Sequence, residues 1–272
     1  VPVVSGRAWE EFPGQHHLQG VGSTPKLWLR DADRRSTQAV FKYANDEADR
    51  NEMYALGFER VAYRLAEVLG LPVPDTHLES FDGHRGVIQV MRPNIEWSRN
   101  WNQAKQLAMF ATIENEDLWP LCVAFDLWIA NVDRAPRNLV FEPVPPDKKP
   151  TLAASCVSVL PDHGHAGLHP PGKFGVGDVA QVAFDACGRT IHDANVRLRE
   201  LMPDEYVESF TQASAADVRA VLDQIRAVPD DAIRAACQDV ASPYFNAQTR
   251  NATFGLLKAR RDAVDTLAAE VF

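Results

Sequence analysis

Alternating apolar and polar positions dominate the first part of the chain, and helical spacing dominates the rest. Residues 1–19 have little periodicity, with Trp9, Phe12 and the His16-His17 pair as their large side chains, and read as an irregular arm or one short strand. Over residues 24–43 the apolar positions Leu27, Leu29, Val40 and Phe41 flank a charged turn from Asp31 to Ser36. That pattern predicts a hairpin whose second strand ends on Lys42. Residues 47–69 place Tyr54, Phe58, Val61, Leu65 and Val68 three or four apart, which predicts one long helix stopped by Gly70 ahead of Pro72 and Pro74. Two more strands are expected over residues 76–80 and 87–91, with F-D-G-H-R as the turn between them.

Beyond residue 100 the period changes. Residues 104–113 read as a helix, and L-C-V-A-F-D-L-W-I-A, from Leu121 to Ala130, is apolar on nearly every face and reads as a buried one. Short apolar runs over 139–141 and 155–160 enclose a stretch rich in Pro and Lys, which predicts a second hairpin. Three amphipathic helices are expected over 215–227, 232–240 and 254–271, the first opening behind Ser214 with Asp217 three residues on.

Composition narrows the function classes. With 272 residues, 46% of them hydrophobic, the chain can bury a sizeable core. A formal net charge of −9 argues against nucleic acid or an anionic membrane as partner, and no basic run exceeds Lys148-Lys149 or Arg260-Arg261. The cysteines at 122, 156, 187 and 237 show no C-x-x-C spacing and sit in apolar or helical contexts, as expected of reduced core thiols in a cytoplasmic protein. No apolar stretch is long enough to span a bilayer.

The chemistry concentrates in N-V-D-R-A-P-R-N, from Asn131 to Asn138, and in Asp162-His163-Gly164 across the predicted hairpin. Taken singly, Asp133 and Asn138 read equally well as turn residues that bond their own backbone. Together with Asp162 they form a set suited to phosphoryl transfer from ATP. That reaction needs one carboxylate to orient an acceptor hydroxyl, and a carboxylate and an amide to hold Mg²⁺ against the phosphates. Zinc is disfavoured, because His163, His165 and His169 have no second ligand cluster and the chain lacks H-E-x-x-H.

The order of buried helix, N-x-D-R-x-x-x-N, hairpin and D-H-G resembles the HipA-like branch of the protein-kinase-like fold and is similar to the phosphatidylinositol 4-kinase pattern. Matching segments run from about residue 20 to about residue 165. The resemblance implies an α+β bilobal architecture, with a small antiparallel-sheet lobe plus one helix over residues 1–93 and a mainly helical lobe over 94–272. Lys42, in A-V-F-K-Y, would be the ATP-pairing lysine. Glu59, at the head of E-R-V-A-Y-R-L-A-E-V-L-G-L-P-V-P, would be its partner, and Glu52, about two turns away, competes for that role. Gly20, Gly22, Ser23 and Lys26, in G-V-G-S-T-P-K, would cover the phosphates. Val90 and Met91, in G-V-I-Q-V-M-R-P, would lie beside adenine.

The same resemblance makes Asp133 the base, assigns Asn138 and Asp162 to Mg²⁺, and has Arg134 steady Asp133 or neutralise phosphate charge. Ala135-Pro136 departs from the His that often follows D-R in the family. The activity implied is serine or threonine protein phosphorylation. A kinase of small-molecule hydroxyls (antibiotic, sugar or lipid head-group) and a nucleotide-binding pseudokinase that docks a partner are the alternatives. ATP, a hydroxyl acceptor and a regulatory protein are the expected partners.

Overall fold

The computed structural model of the chain describes residues 3–4, 7–12, 26–34, 37–48, 50–91, 96–97, 118–129, 131, 140–143, 156–159 and 215–271. Its first part is an antiparallel sheet of six strands: β1 (Val3–Val4), β2 (Arg7–Glu11), β3 (Lys26–Asp31), β4 (Gln38–Tyr43), β5 (Asp75–Phe81) and β6 (His84–Met91). Their spatial order is β1-β2-β3-β4-β6-β5, and β1 comes back against β5, so the sheet is curled.

Local chemistry explains the turns. Asp31 ends β3 and its Oδ1 accepts the backbone N–H groups of Asp33 and Arg34, folding the chain back into β4. Between β5 and β6, Asp82 and Gly83 both take positive φ, 49° and 81°, as a two-residue hairpin turn of the twisted kind requires. The arm expected over residues 1–19 contributes two strands, because Trp9 is fully buried among Leu29, Phe41, Phe81 and Ile88 on the outer face of the sheet.

The predicted long helix is α1 (Arg50–Val68). It ends where Gly70, at φ +70°, lets Leu71 N–H reach back to the Ala66 carbonyl. Val68, expected on the buried stripe, is instead half exposed, and Leu71 joins the core after the turn. Met53 and Leu56 of α1 pack on Val87 of the sheet. Tyr54, Phe58, Val61 and Leu65 face the helical core.

That core is built by α2 (Trp119–Ile129), α3 (Ala215–Arg226), α4 (Asp230–Gln238), α5 (Ala247–Asp262) and α6 (Val264–Val271). The single helix expected over 254–271 is in fact two. It breaks at Ala263, and α5 begins earlier, where Asn246 caps it by accepting the Thr249 N–H. The second hairpin is present as β8 (Val140–Pro143) and β9 (Cys156–Val159), joined by an unanticipated third strand, β7 (Glu96–Trp97). The helix expected over 104–113 and the Ser214 cap lie outside the described residues. Among the described residues, no helix is long and apolar enough to cross a membrane. Cys122 and Cys237 are buried, and burial pushes the Cys237 thiol up to about 12.

A segment between α4 and α5 wedges α1 in place. Phe245 packs at a tilt against Tyr54 and edge-on against Phe58, and Arg60 of α1 joins Asp239 to the backbone and hydroxyl of Thr76 on β5. Tyr244 Oη donates to the carbonyls of Glu79 and Gly86, and burial raises its pKa, so it remains a donor.

Gly57→Ala is expected to lower the melting temperature even though alanine is the better helix former, because a Cβ there would lie 2.5 Å from Phe245 Cε1. Gly255→Ala, exposed in α5 with nothing within 4 Å, is expected to raise stability by about 1 kcal/mol. Urea unfolding of the two variants checks both signs.

Candidate active site

Strand alternation sorts the sheet into two faces. Phe41, Ala39, Leu29 and Ile88 turn to the outer cluster around Trp9. Lys42 and Val40 turn the other way, towards α1, together with their register partners Val87 and Gln89 on β6. Trp28, opposite Val40 on β3, joins Val40 and Met91 in a small apolar cluster on that same face. Lys42 thus lies beside a small buried apolar cluster.

Its partner comes from α1. Lys42 Nζ lies 2.5 Å from Glu59 Oε1, and both side chains are almost fully buried. A buried ion pair costs desolvation on both ions and persists only with good geometry and further hydrogen bonds. Gln89 provides one: its Nε2 donates to the same Glu59 Oε1 at 2.5 Å and also contacts Tyr63 Oη at 3.0 Å. Glu52 is engaged elsewhere, accepting the backbone N–H groups of Asn45 and Asp46 just ahead of α1.

The backbone beneath Lys42 is also constrained. Gly86 of β6 pairs with Tyr43, and a Cβ at position 86 would lie 2.0 Å from the Lys42 carbonyl oxygen. Only glycine lets the two strands approach this closely.

The remaining expected residues divide as follows. Lys26 sits directly across from Lys42 on β3, half buried. Met91 is on the Lys42 face, whereas the Val90 side chain packs with the outer-face cluster, leaving only its backbone to meet a ligand on the Lys42 face. Gly20, Gly22, Ser23, Asp133, Arg134, Asn138 and Asp162 lie outside the described residues.

The elements flanking that motif are described. At the end of α2, Arg260 of α5 donates from Nε to the Trp128 carbonyl at 2.8 Å and from Nη2 to the Leu127 carbonyl at 2.5 Å. Trp128 Nε1 returns a bond to the Leu257 carbonyl. A cation at carbonyls left open by a helix C-terminus satisfies both hydrogen bonding and the helix dipole. Asn131 then folds back on Asp126, its Nδ2 donating to Oδ1 at 2.9 Å. Two residues later comes Asp133. On the far side, Val140 and Val159 are register partners, so the strand ends nearest in sequence to Asn138 and Asp162 lie side by side.

Sequence reasoning overlooked Gln89, Tyr63, Gly86 and Arg260. Gln89 carried a weak signal, as the one polar residue between Val87 and Met91 in an otherwise apolar strand.

No protein-family model and no curated protein matches the sequence. Among solved structures, the chain is similar to the Helicobacter pylori proinflammatory kinase CtkA over the full length of both chains, at 15% identity and a TM-score of 0.55. It also matches Shewanella oneidensis HipA, solved with HipB and operator DNA, at 12% identity and a TM-score of 0.44 over 95% of this chain and 70% of that one. The first likeness shows a fold shared with that kinase.

Removing one ion of the buried pair strands the other. Lys42→Met is expected to cost about 3 kcal/mol of stability, and Lys42→Met combined with Glu59→Leu to recover much of it. Equal urea midpoints for the single and double variants would contradict a buried, mutually dependent pair.

Proposed function

We propose that this chain, built on a kinase fold, is an ATP- and Mg²⁺-dependent phosphotransferase that phosphorylates serine or threonine hydroxyls of a protein. The observation that carries this reading is the buried Lys42–Glu59 pair beside the Trp28, Val40 and Met91 cluster. A fixed ammonium next to an apolar cluster suits a nucleotide, whose base seeks burial and whose phosphates seek a cation.

In this reading residues 1–93 form the ATP-covering lobe and residues 94–272 the helical lobe. Glu59 holds the Lys42 ammonium towards the α- and β-phosphates, while Gly20, Gly22, Ser23 and Lys26 cover them. Asp133 accepts the proton of the acceptor hydroxyl as its oxygen bonds to the γ-phosphorus and ADP leaves, and Arg134 steadies Asp133 or offsets phosphate charge. Asn138 and Asp162 supply the hard oxygen donors that suit Mg²⁺. The metal's contribution is to neutralise charge on the phosphate oxygens. Catalysis is then positioning plus electrostatics, carried out in the cytoplasm.

The test is incubation with γ-³²P-ATP, Mg²⁺ and a desalted host lysate, followed by separation of macromolecular from small-molecule label. Label on protein is expected with the wild type and is expected to fall roughly 10²- to 10⁴-fold in Asp133→Ala. Protein label that persists in Asp133→Ala would remove that residue from the base role. Label that appears only after small-molecule hydroxyl acceptors are added would overturn the protein acceptor.

A further inference from the structure

We infer that Gln89 is a positioning residue for the Lys42–Glu59 pair, an assignment that rests on the phosphotransferase reading. Lys42 serves a nucleotide only while Glu59 keeps it aimed, and Glu59 itself must be held. One oxygen of its carboxylate, Oε1, takes both the Lys42 ammonium and the Gln89 amide, each at 2.5 Å. The two donors differ in what a nucleotide does to them. Phosphates compete with Glu59 for the ammonium, because both are anions. A neutral amide is not drawn away in this manner, so the Gln89 bond stays when the ammonium is shared.

The platform for that amide is rigid. β6 is an interior strand, paired on one side with β4 and on the other with β5, and Gln89 stands in register with Val40 and Thr76. The same Nε2 reaches both Glu59 and Tyr63, which are four residues apart and so share a face of α1. The amide therefore fixes both the rotation of α1 against the sheet and the Glu59 rotamer.

Gln89 is fully buried, and among the described residues its Oε1 finds no hydrogen-bond partner. An apolar side chain would avoid that cost at an interior strand position. Position 89 thus carries a local penalty, and the donor delivered to Glu59 is what it gains.

The experiment is a double-mutant cycle of Gln89→Leu and Glu59→Gln, read as Mg²⁺-ATP-dependent transfer with the nucleotide varied to separate kcat from KM. In the Glu59-containing protein, Gln89→Leu is expected to lower kcat/KM for ATP roughly 10- to 100-fold. In the Glu59→Gln background the same change is expected to cost less than about twofold, because the carboxylate it serves is gone. Equal losses in both backgrounds, or none in either, overturn the inference.

A second arm needs no turnover. Gln89→Glu places a carboxyl against Glu59, with Lys42, Tyr63, its register partner Thr76 and the Arg60 guanidinium bonded to Thr76 as the other polar groups on that face among the described residues. Two carboxylates there share a proton, which raises the folded-state pKa above its unfolded value. Stability gained from the shared proton is present at low pH and lost as pH rises through the raised pKa. The gap in melting temperature from wild type is therefore expected to widen between about pH 5.5 and about pH 8. A gap independent of pH overturns the contact. A wild type that transfers no more label than Lys42→Met, with the widening gap retained, overturns the phosphotransferase reading and leaves the Gln89–Glu59 contact supported.

Discussion

A lysine and a glutamate buried against each other set the terms for everything around them. Neither ion can be left alone in so dry a place, so the strand that carries Lys42 and the helix that carries Glu59 must stay in register to within a hydrogen bond. Gly86 answers to this constraint by letting β6 close on β4 beneath Lys42. Arg60 answers to it as well, tying the turn of α1 next to Glu59 to β5 on one side and to Asp239 on the other.

Helix α1 is the hinge of the packing logic, because it has two apolar faces with different duties. Met53 and Leu56 rest on the sheet, while Tyr54, Phe58 and Leu65 belong to the core that the C-terminal helices build. Hydrophobic burial on both sides therefore brings α1 to the sheet, and the ion pair and the Gln89 amide fix where Glu59 comes to rest. Arg260 plays a similar part at α2, where a buried guanidinium anchors the end of the helix that leads into the Asp133 motif.

The sequence made the local parts of this legible. The Asp31 turn, the Asp82-Gly83 hairpin and the Gly70 helix stop are written in residue types whose conformational preferences act over three or four positions. Order along the chain singled out Lys42 on its strand. The family spacing favoured Glu59 over Glu52, but the two stand about two helical turns apart on nearby faces, and it is the docking of α1 that brings Glu59 to the strand. The second of the N-terminal strands escaped because the stretch around Trp9 and Phe12 lacks alternation. The break at Ala263 escaped because the apolar period runs through it. Gln89, Phe245 and Arg260 have their partners far away in sequence, where no local pattern can announce them. The Asp133, Asn138 and Asp162 set remains a reading of motif order, framed by the α2 terminus and the β8–β9 ladder.

The wedge formed by Tyr244 and Phe245 has a temporal meaning. Tyr244 grips the β5–β6 hairpin across 165 positions of chain, and Phe245 fills the notch left open by Gly57. During synthesis the ribosome delivers the lysine strand and the glutamate helix early and their wedge late. The seat that holds the pair together is completed only after the 165 positions from Glu79 to Tyr244 have followed, so a nascent fragment that stops short of them possesses the charged residues without the wedge that seats α1.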